Sequence, residues 1–296
     1  MFDGLRKSAR VKLQRAVSEV LTDSERRSLE LLQHRHDQVL AELSETRRTL
    51  AEVRSELAAV QKEVATVLQT TWKLDHRARR DIMQAFNVQA VNQSAAFVVQ
   101  HMAKVPVFWH PHDTLRYGLS QVHVEGMALE FGVASGTTLQ IIVDELKDKV
   151  HDAGYEVFGF DVFSGLPEDW RTGYPAGEFA QDELPDVRGA TLIRGLFEDT
   201  LSDFLTTHPG PVSFVHFDAD LYSSTKAILD RLGQRLVPGT VLVFDEFFNF
   251  PGWQEHEYRA WMEFVDTTGA GFEYLGYTGD NEQVVMRITS SVQQPR

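Results

Sequence analysis

Residues 1 to 100 contain almost none of the residues that interrupt an α-helix. Eighteen of the 20 glycines lie at or beyond Gly126, and no proline precedes Pro106. In the same region apolar side chains recur at alternating steps of three and four residues, from Leu29 to Val67. This period predicts a long helix whose apolar stripe a single helix cannot bury, so we expect a coiled coil over residues 21–75.

The charged residues beside the stripe indicate how copies of this helix associate. With Leu29 at heptad position a, Glu42 at position g can meet Arg47 at position e of a parallel partner. An antiparallel partner would bring arginines of the same helix face together. The sequence therefore favours parallel self-association, while the number of strands stays open. The alternative is a single long helix packed on the rest of the chain.

Charge divides the chain at about the same place. Residues 1–80 hold 16 basic and 12 acidic side chains, and residues 81–296 hold 13 basic and 31 acidic ones. The acidic surface of the larger part disfavours nucleic acid as a partner, because it would repel phosphates. The chain has no cysteine, which excludes disulfides, thiolate metal sites and cysteine nucleophiles. Any bound metal must use oxygen or imidazole ligands.

Residues 1–20 form a basic segment of their own. Apolar residues at roughly helical spacing, namely Phe2, Leu5, Ala9, Leu13 and Ala16, accompany five basic side chains. Such a segment is either a membrane-surface helix or a solvated chain end. The sequence has no apolar run of the roughly 18 residues that a spanning helix needs and no secretory signal. We therefore expect a cytoplasmic protein, with residues 1–20 as the candidate for peripheral contact with the inner membrane face.

The next segment, residues 76–125, is predicted to be a helical linker. An amphipathic helix is expected over residues 80–105, covering an edge or the mouth of the following domain. An irregular stretch around Pro106 and Pro111 then leads to the domain at residues 126–290.

From Ala128 onward, strand-like runs alternate with helical stretches. The strand-like runs are ALEFGV, EVFGFD, ATLIRG, SFVHFD and TVLVFD, and the helical stretches are 138–149, 224–236 and 255–267. This alternation predicts an α/β fold, a Rossmann-like, doubly wound and mostly parallel sheet. The runs FEYLGY and QVVMRI predict an antiparallel hairpin at its carboxyl-terminal end.

Ligands of such sheets bind beyond the carboxyl ends of the strands. The first of these ends leads into a turn of small residues, where Gly132, Ser135 and Gly136 allow the backbone to approach a ligand closely. The spacing is not that of the dinucleotide fingerprint, which disfavours a nicotinamide dehydrogenase. The next strand ends in Asp161, which either binds the two hydroxyls of a ribose or caps the turn before Ser164.

Four acidic residues follow two further strands. Asp218 and Asp220 come after one strand, and Asp245 and Glu246 after the next. Carboxylates gathered there would repel one another without a cation, and oxygen ligands suit magnesium, calcium or manganese. His216 lies inside a strand, where a buried and hydrogen-bonded histidine is the simplest interpretation.

These motifs, taken together, resemble a known family, the class I S-adenosylmethionine-dependent O-methyltransferases that modify macrolide sugars (the macrocin and mycinamicin enzymes) and the noviose sugar of aminocoumarins. The resemblance covers residues 115–288 and depends on the motifs EFGVASGT, VFGFDVFSGLPEDW, RGLFEDTL, HFDADLYSSTKAILDRL and PGTVLVFDEF. It implies a sugar or glycan-type acceptor. It does not extend to the predicted coiled coil.

The resemblance also implies roles for particular residues. The methionine end of S-adenosylmethionine would lie against Glu130, Gly132, Ser135 and Thr137. Asp161 would hold the ribose, and the adenosine would lie near Phe163, Ser164, Leu196 and Phe197. Magnesium, or another divalent cation that prefers oxygen ligands, would bind Asp218, Asp245 and Glu246, with Asp220 as the general base. Relatives usually carry aspartate at the position of Glu246, and the extra methylene allows coordination through water.

Two other classes of protein remain compatible with the residues. A D-x-D motif at a strand end can hold manganese and a nucleotide sugar in a glycosyltransferase, although the turn at 132–137 and Asp245–Glu246 then have no role. A coiled-coil scaffold with an inactive methyltransferase-like domain is the other alternative. Binding of S-adenosylmethionine separates both from the enzyme.

Overall fold

The structure of the chain is a computed structural model, and it describes residues 2–153 and 156–292. For residues 2–5, 9 and 148–153 it describes the backbone alone. The chain forms two compact units, which divide between Arg80 and Asp81. Residues 76–80, predicted to begin the linker, continue the helix of the first unit, and residues 81–125 belong to the second.

The first unit is one continuous helix, α1, at Phe2–Arg80. Every apolar residue of the predicted heptad stripe is exposed to solvent in the single chain: Leu29, Leu32, Val39, Leu43, Leu50, Val53, Leu57, Val60, Val64 and Val67. The long helix is confirmed, and the coiled coil remains a prediction. The side chains of Phe2, Leu5 and Ala9 in the basic segment lie outside the described ones. Among the described helices, none combines the length and the apolar content needed to cross a bilayer.

The second unit combines helices with a single sheet. The described helices are α2 Ile82–His101, α3 Pro111–Ser120, α4 Thr137–Ala153, α5 Phe197–Thr207, α6 Tyr222–Leu232 and α7 Glu257–Thr268. The strands are β1 Val107–Phe108, β2 Met127–Phe131, β3 Val157–Asp161, β4 Ala190–Arg194, β5 Val212–Phe217, β6 Leu236–Phe244, β7 Phe272–Thr278 and β8 Val284–Ile288.

The eight strands follow the order β1-β7-β8-β6-β5-β2-β3-β4. Strands β2 to β6 run parallel to one another, and β8 runs antiparallel to both β6 and β7. The predicted parallel sheet with a carboxyl-terminal antiparallel hairpin is therefore confirmed. The short edge strand β1, parallel to β7, was not predicted, because two residues carry no measurable periodicity.

Successive residues of the central strands pack into different hydrophobic layers. Leu129 and Phe131 of β2 join the layer of α5, α6 and α7, and Ala128 joins the layer of α3 and α4. This alternation is what a pleated strand with both faces covered requires. Glu130 occupies the α3–α4 face of β2, in register with His216 of β5.

Helix α2 covers the segment that follows β6. Asp81 caps its first turn by accepting hydrogen bonds from two backbone N–H groups. Ser94 is buried and accepts a hydrogen bond of 2.9 Å from the backbone N–H of Asn249. Phe97 packs edge-on against Trp253, with ring centroids 5.5 Å apart. The helix therefore lies beside the loop that carries Asp245 and Glu246, as expected of a cover at the mouth of the domain.

Several predicted boundaries differ from the structure. The helix predicted to end at residue 236 ends at Leu232, because a 3-10 turn at Gly233–Arg235 leads directly into β6. Helix α5 was not predicted. Pro111 was placed in an irregular stretch, yet it opens α3, with His110 as the capping residue. A proline suits the first turn of a helix, where its missing N–H is not needed.

Gly132 is the position where the fold tolerates a side chain least. Its φ is +96°, and a Cβ there would overlap the backbone carbonyl oxygen of Asp218. We predict that Gly132→Ala lowers the free energy of unfolding by about 1 to 3 kcal/mol more than Gly173→Ala. Gly173 is a matched control, since its φ is +97° but a Cβ would meet open space. Urea denaturation followed by circular dichroism measures both, and equal losses would contradict the prediction.

Candidate active site

A cleft of about 590 Å³ opens at the carboxyl ends of the central parallel strands. Its wall includes Gly132 after β2, Asp161 at the end of β3, Asp218 after β5 and Asp245 after β6. The loop at 162–189, between β3 and β4, contributes much of the remaining wall. The volume suits a small molecule with a few polar anchoring groups.

The ladder of the sheet places the acidic residues of the cleft. The backbone N–H of Asp218 donates to Phe131 O at 2.9 Å, and that of Asp245 donates to Phe217 O at 2.8 Å. Each acid is therefore held by the first hydrogen bond beyond its strand. The parallel alignment of β2, β5 and β6 then brings the ends together on one side of the sheet.

Three carboxylates meet in this part of the cleft. Asp218, Asp220 and Glu246 each offer an oxygen, and these oxygens lie within 4.8 Å of one another. Burial, and then the charge of Asp245, raise the pKa of Asp220 to about 7. Burial and the neighbouring charges also raise the pKa of Asp218 and of Glu246 well above their usual values. A divalent cation would relieve this repulsion.

Two details of the backbone and side chains support a ligand at this cluster. Asp220 has φ +59°, an uncommon conformation for a residue other than glycine. Such strain persists where the surrounding structure enforces it, often at functional sites. Oxygen Oε2 of Glu246 is buried and has no hydrogen-bond partner among the described residues. The donor set is made of oxygen atoms alone, as magnesium, calcium and manganese prefer.

Asp245 is turned toward the sheet and lies outside the group of three. Its Oδ1 is 3.7 Å from Nε2 of His216, and Nδ1 of His216 lies 2.9 Å from Oε1 of Glu130. Burial alone would raise the pKa of Asp245, but His216 holds it below its usual value. Two of the three predicted metal ligands, Asp218 and Glu246, are thus grouped with the predicted base Asp220.

Asp161 is engaged by the backbone of the turns around it. Its Oδ2 accepts hydrogen bonds of 2.8 Å from the N–H groups of Val133 and Ala134, and its Oδ1 accepts one of 2.6 Å from Phe163. The capping alternative is therefore realised in the structure. A carboxylate offers about four acceptor positions, so one stays available on the cleft side.

The other residues predicted to contact S-adenosylmethionine divide into two sets. Leu196 and Phe197 line the cleft, together with Gly132 and Asp161. The other six are not among the described residues that line the cleft: Glu130, Ser135, Gly136, Thr137, Phe163 and Ser164. Glu130, Gly136 and Phe163 are buried, whereas Ser135, Thr137 and Ser164 are exposed. The hydroxyls of Ser135 and Thr137 lie 2.9 Å apart.

Arg171 is a cleft residue that the sequence analysis missed. Its guanidinium carbon lies 3.9 Å from the ring centroid of Trp170 and 4.6 Å from that of Phe250. Its Nη1 donates to both carboxylate oxygens of Glu282, at 3.0 and 3.1 Å. Among the described residues that line the cleft, Arg171 is the one lysine or arginine. No local pattern marks it, because Phe250 and Glu282 are far away in sequence.

The loop at 162–189 has a second attachment. Glu168 accepts a hydrogen bond of 2.6 Å from the hydroxyl of Ser223, at the start of α6. The loop is thus bound both to α6 and, through Arg171, to the turn between β7 and β8. These two contacts hold it over the cleft.

Glu257, an acidic residue on the first turn of α7, is a second residue that the sequence analysis missed. It is fully buried, and one of its oxygens accepts a hydrogen bond of 3.2 Å from the backbone N–H of Glu246. Burial, and then the charges of Asp220 and Asp245, raise the pKa of Glu257 to about 8. Its contribution is to fix the backbone that presents Glu246.

Comparison with known proteins supports a methyltransferase. Residues 129–247 match a protein-family model described as a methyltransferase domain. This segment runs from β2 to just beyond β6, and it contains both the turn at 132–137 and the acidic cluster. No curated protein sequence matches the chain.

A solved structure shows the same fold. The calicheamicin methyltransferase CalS11 is 24% identical, with a TM-score of 0.50, and the match covers 60% of this chain and 77% of CalS11. The O-methyltransferase NovP is 22% identical, with a TM-score of 0.46, over 60% of this chain and 79% of NovP. The described second unit is therefore a mixed α/β fold of the kind that CalS11 has.

The contact between Arg171 and Glu282 generates a prediction about the loop. We predict that Arg171→Gln and Glu282→Gln each increase amide exchange across residues 162–182, and that the double variant adds little. A coupling of about 1 kcal/mol is expected for a partly buried pair. Hydrogen–deuterium exchange with mass spectrometry measures the opening. Peptides of β5 serve as the internal control, and additive effects of the two substitutions would contradict the coupling.

Proposed function

We propose that the chain is a metal-dependent O-methyltransferase, which transfers the methyl group of S-adenosylmethionine to a hydroxyl of a sugar or glycan-type acceptor. The observation that carries the proposal is the group of Asp218, Asp220 and Glu246 in the wall of the cleft. It lies within the segment that matches the methyltransferase domain. The acceptor class comes from the resemblance of the motifs to sugar O-methyltransferases.

The cleft divides into a donor side and an acceptor side. Gly132, Asp161, Leu196 and Phe197 line the ends of β2, β3 and β4, and we assign them to S-adenosylmethionine. The resemblance assigns six more residues to the donor, and none of them is among the described residues that line the cleft: Glu130, Ser135, Gly136, Thr137, Phe163 and Ser164. The acids after β5 and β6 are assigned to the acceptor, which places its hydroxyl beside the methyl group.

The acidic side chains fit a divalent cation. Asp218 and Glu246 would hold it, with Asp245 next to them, because oxygens of Asp218, Asp220 and Glu246 lie within 4.8 Å of one another and none of the ion pairs among the described residues includes them. When bound, such a cation supplies positive charge that lowers the pKa of a nearby hydroxyl. A carboxylate alone is far too weak a base for a sugar hydroxyl, whose pKa is much higher.

Asp220 is assigned as the general base. Its carboxylate lies on the cleft wall with Asp218 and Glu246. The hydroxyl proton passes to a carboxylate oxygen of Asp220 as the acceptor oxygen bonds to the methyl carbon. The sulfonium–carbon bond breaks at the same time, and its electron pair stays on sulfur. Much of the rate comes from holding the two reactants in contact.

The first experiment is calorimetric titration of S-adenosylmethionine and Mg²⁺ into the wild type and Asp218→Asn. We expect both to bind S-adenosylmethionine. Mg²⁺ affinity should fall in the variant by more than about tenfold, the smallest effect expected even of a residue that only supports a ligand. Asp230→Asn is the control, because Asp230 pairs with Lys226 on α6 and is exposed.

Each result of this titration separates the proposal from its alternatives. Absence of S-adenosylmethionine binding in the wild type would overturn the methyltransferase and favour nucleotide sugars with manganese. Binding of S-adenosylmethionine without methyl transfer to any of a panel of sugar acceptors would favour the scaffold. Equal Mg²⁺ affinity in the wild type and Asp218→Asn would remove the metal site from this cluster.

We further propose that α1 self-associates as a parallel coiled coil. Its apolar stripe is exposed throughout, and a single helix offers nothing to bury it. Glu42 and Arg47 are placed to pair across a parallel interface. The basic segment at residues 1–20 would then lie at one end of the assembly, where contact with the inner membrane face is the proposed additional role.

Substitution in the stripe tests self-association. We predict that Leu50→Glu, at position a, lowers the mass in solution toward that of one chain, 33.6 kDa, because a buried charge at the seam is costly. Leu31→Glu is the matched control, since Leu31 is also exposed, at 67% against 49% for Leu50, but lies off the seam at position c. Light scattering coupled to gel filtration measures the mass. A wild-type mass of one chain would contradict the proposal.

A further inference from the structure

Glu130 and His216 form a buried pair that the proposed function does not use. They are register partners on the neighbouring strands β2 and β5. Glu130 is completely buried and His216 is 1% exposed. Oε1 of Glu130 lies 2.9 Å from Nδ1 of His216. The resemblance places Glu130 at the methionine end of S-adenosylmethionine, but its carboxylate faces His216 instead.

The pair continues to the acidic cluster through the other ring nitrogen. Nε2 of His216 lies 3.7 Å from Oδ1 of Asp245. Because the two nitrogens lie on opposite edges of the imidazole, the contact with Glu130 fixes the ring so that Nε2 faces Asp245. Arrangements in which a carboxylate orients a histidine, and the histidine orients the next group, are common behind metal sites.

The contact between His216 and Asp245 matters because Asp245 lies beside three other carboxylates. Burial, and then the charge of Asp245, raise the pKa of Asp218, Asp220 and Glu246. These four carboxylates therefore repel one another. Nε2 of His216 is the donor that faces Asp245, at 3.7 Å from its Oδ1. Without that donor, a largely buried carboxylate would lose a partner and its fixed orientation.

We propose that Glu130 and His216 are positioning residues, which hold the carboxylate of Asp245 at the acidic cluster and thereby set its affinity for a divalent cation. This proposal rests on the proposed function in one respect, which is that the acidic cluster binds a divalent cation. It moves Glu130 from the donor side of the cleft to the support of the metal side.

Two substitutions of His216 separate the two edges of its ring. Asparagine places its amide near the position of Nδ1, so His216→Asn keeps a partner for Glu130 and loses the contact with Asp245. Glutamine reaches the position of Nε2, so His216→Gln keeps a donor toward Asp245. If His216 served packing alone, the contact with Asp245 would not make the two substitutions differ.

The measurement is binding of Mn²⁺ to the full chain, followed by the electron paramagnetic resonance signal of the free ion. We expect His216→Asn to bind Mn²⁺ about 10- to 100-fold more weakly than the wild type, as for other residues that support metal ligands. His216→Gln should stay within about threefold of the wild type, because it retains the donor. His208→Asn, outside the cleft, is the control for loss of a histidine.

Glu130→Gln supplies the second test. It keeps the size of the side chain, and we expect weaker Mn²⁺ binding with unchanged affinity for S-adenosylmethionine. Loss of S-adenosylmethionine affinity alone would return Glu130 to the donor side and overturn the inference. If His216→Asn does not fold, Glu130→Gln decides by itself, and unchanged Mn²⁺ affinity overturns the proposal.

The remaining results are also decisive. Wild-type Mn²⁺ affinity in His216→Asn, or equal losses in His216→Asn and His216→Gln, would overturn the positioning role. Failure of the wild type to bind S-adenosylmethionine would remove the methyltransferase function. The comparison of Mn²⁺ affinities would still test the role of Glu130 and His216. Failure of the methyltransferase function is therefore distinguishable from failure of the positioning role.

Discussion

Parallel pairing of β2, β5 and β6 is the constraint on which the candidate site depends. Hydrogen bonds one residue beyond the strands hold Asp218 and Asp245 beside each other, and the residues that follow them complete the acidic cluster. Four like charges at the rim of a sheet are unfavourable in themselves. Their presence in a cleft of small-molecule size gives the site its chemical character, since the proposed divalent cation would relieve this repulsion.

The surroundings of the cluster limit this repulsion in different ways. On the sheet side, His216 and Glu130 hold Asp245. On the side of α7, Glu257 bonds the backbone of Glu246. Across the cleft, Arg171 offsets part of the rise in the pKa of Asp220 that burial and Asp245 cause. Its guanidinium also contacts Glu282 and the rings of Trp170, Tyr174 and Phe250. Each of these groups comes from a different element, so the electrostatics of the site depend on the packing of the whole second unit.

The two units differ in whether their apolar residues are buried within the single chain. The second unit buries apolar residues on both faces of its sheet and needs no partner for that purpose. The first unit exposes its apolar stripe along α1, and most helical stability in proteins comes from burying such a face. The proposed self-association of α1 would bury this stripe, independently of what the cleft binds.

Local patterns in the sequence determined the elements. The period of apolar residues predicted α1, and the alternation of strands and helices predicted the sheet and its terminal hairpin. The position of acids directly after β5 and β6 predicted the cluster, because strand ends of a parallel sheet meet at one edge. Two elements escaped prediction. Strand β1 has only two residues, and α5 was missed although Phe197, Leu201, Phe204 and Leu205 recur at helical spacing.

Tertiary structure decided what each side chain faces. Nothing in the motif EFGVASGT shows that Glu130 points to His216, because that contact depends on the register of β2 against β5. Asp161 could cap a turn or bind a ribose, and only the folded turns show which backbone groups it accepts from. Arg171 meets Phe250 and Glu282 through contacts between residues far apart in the chain. The sequence thus determined which chemical groups reach the cleft, and packing determined which of them are available to a ligand.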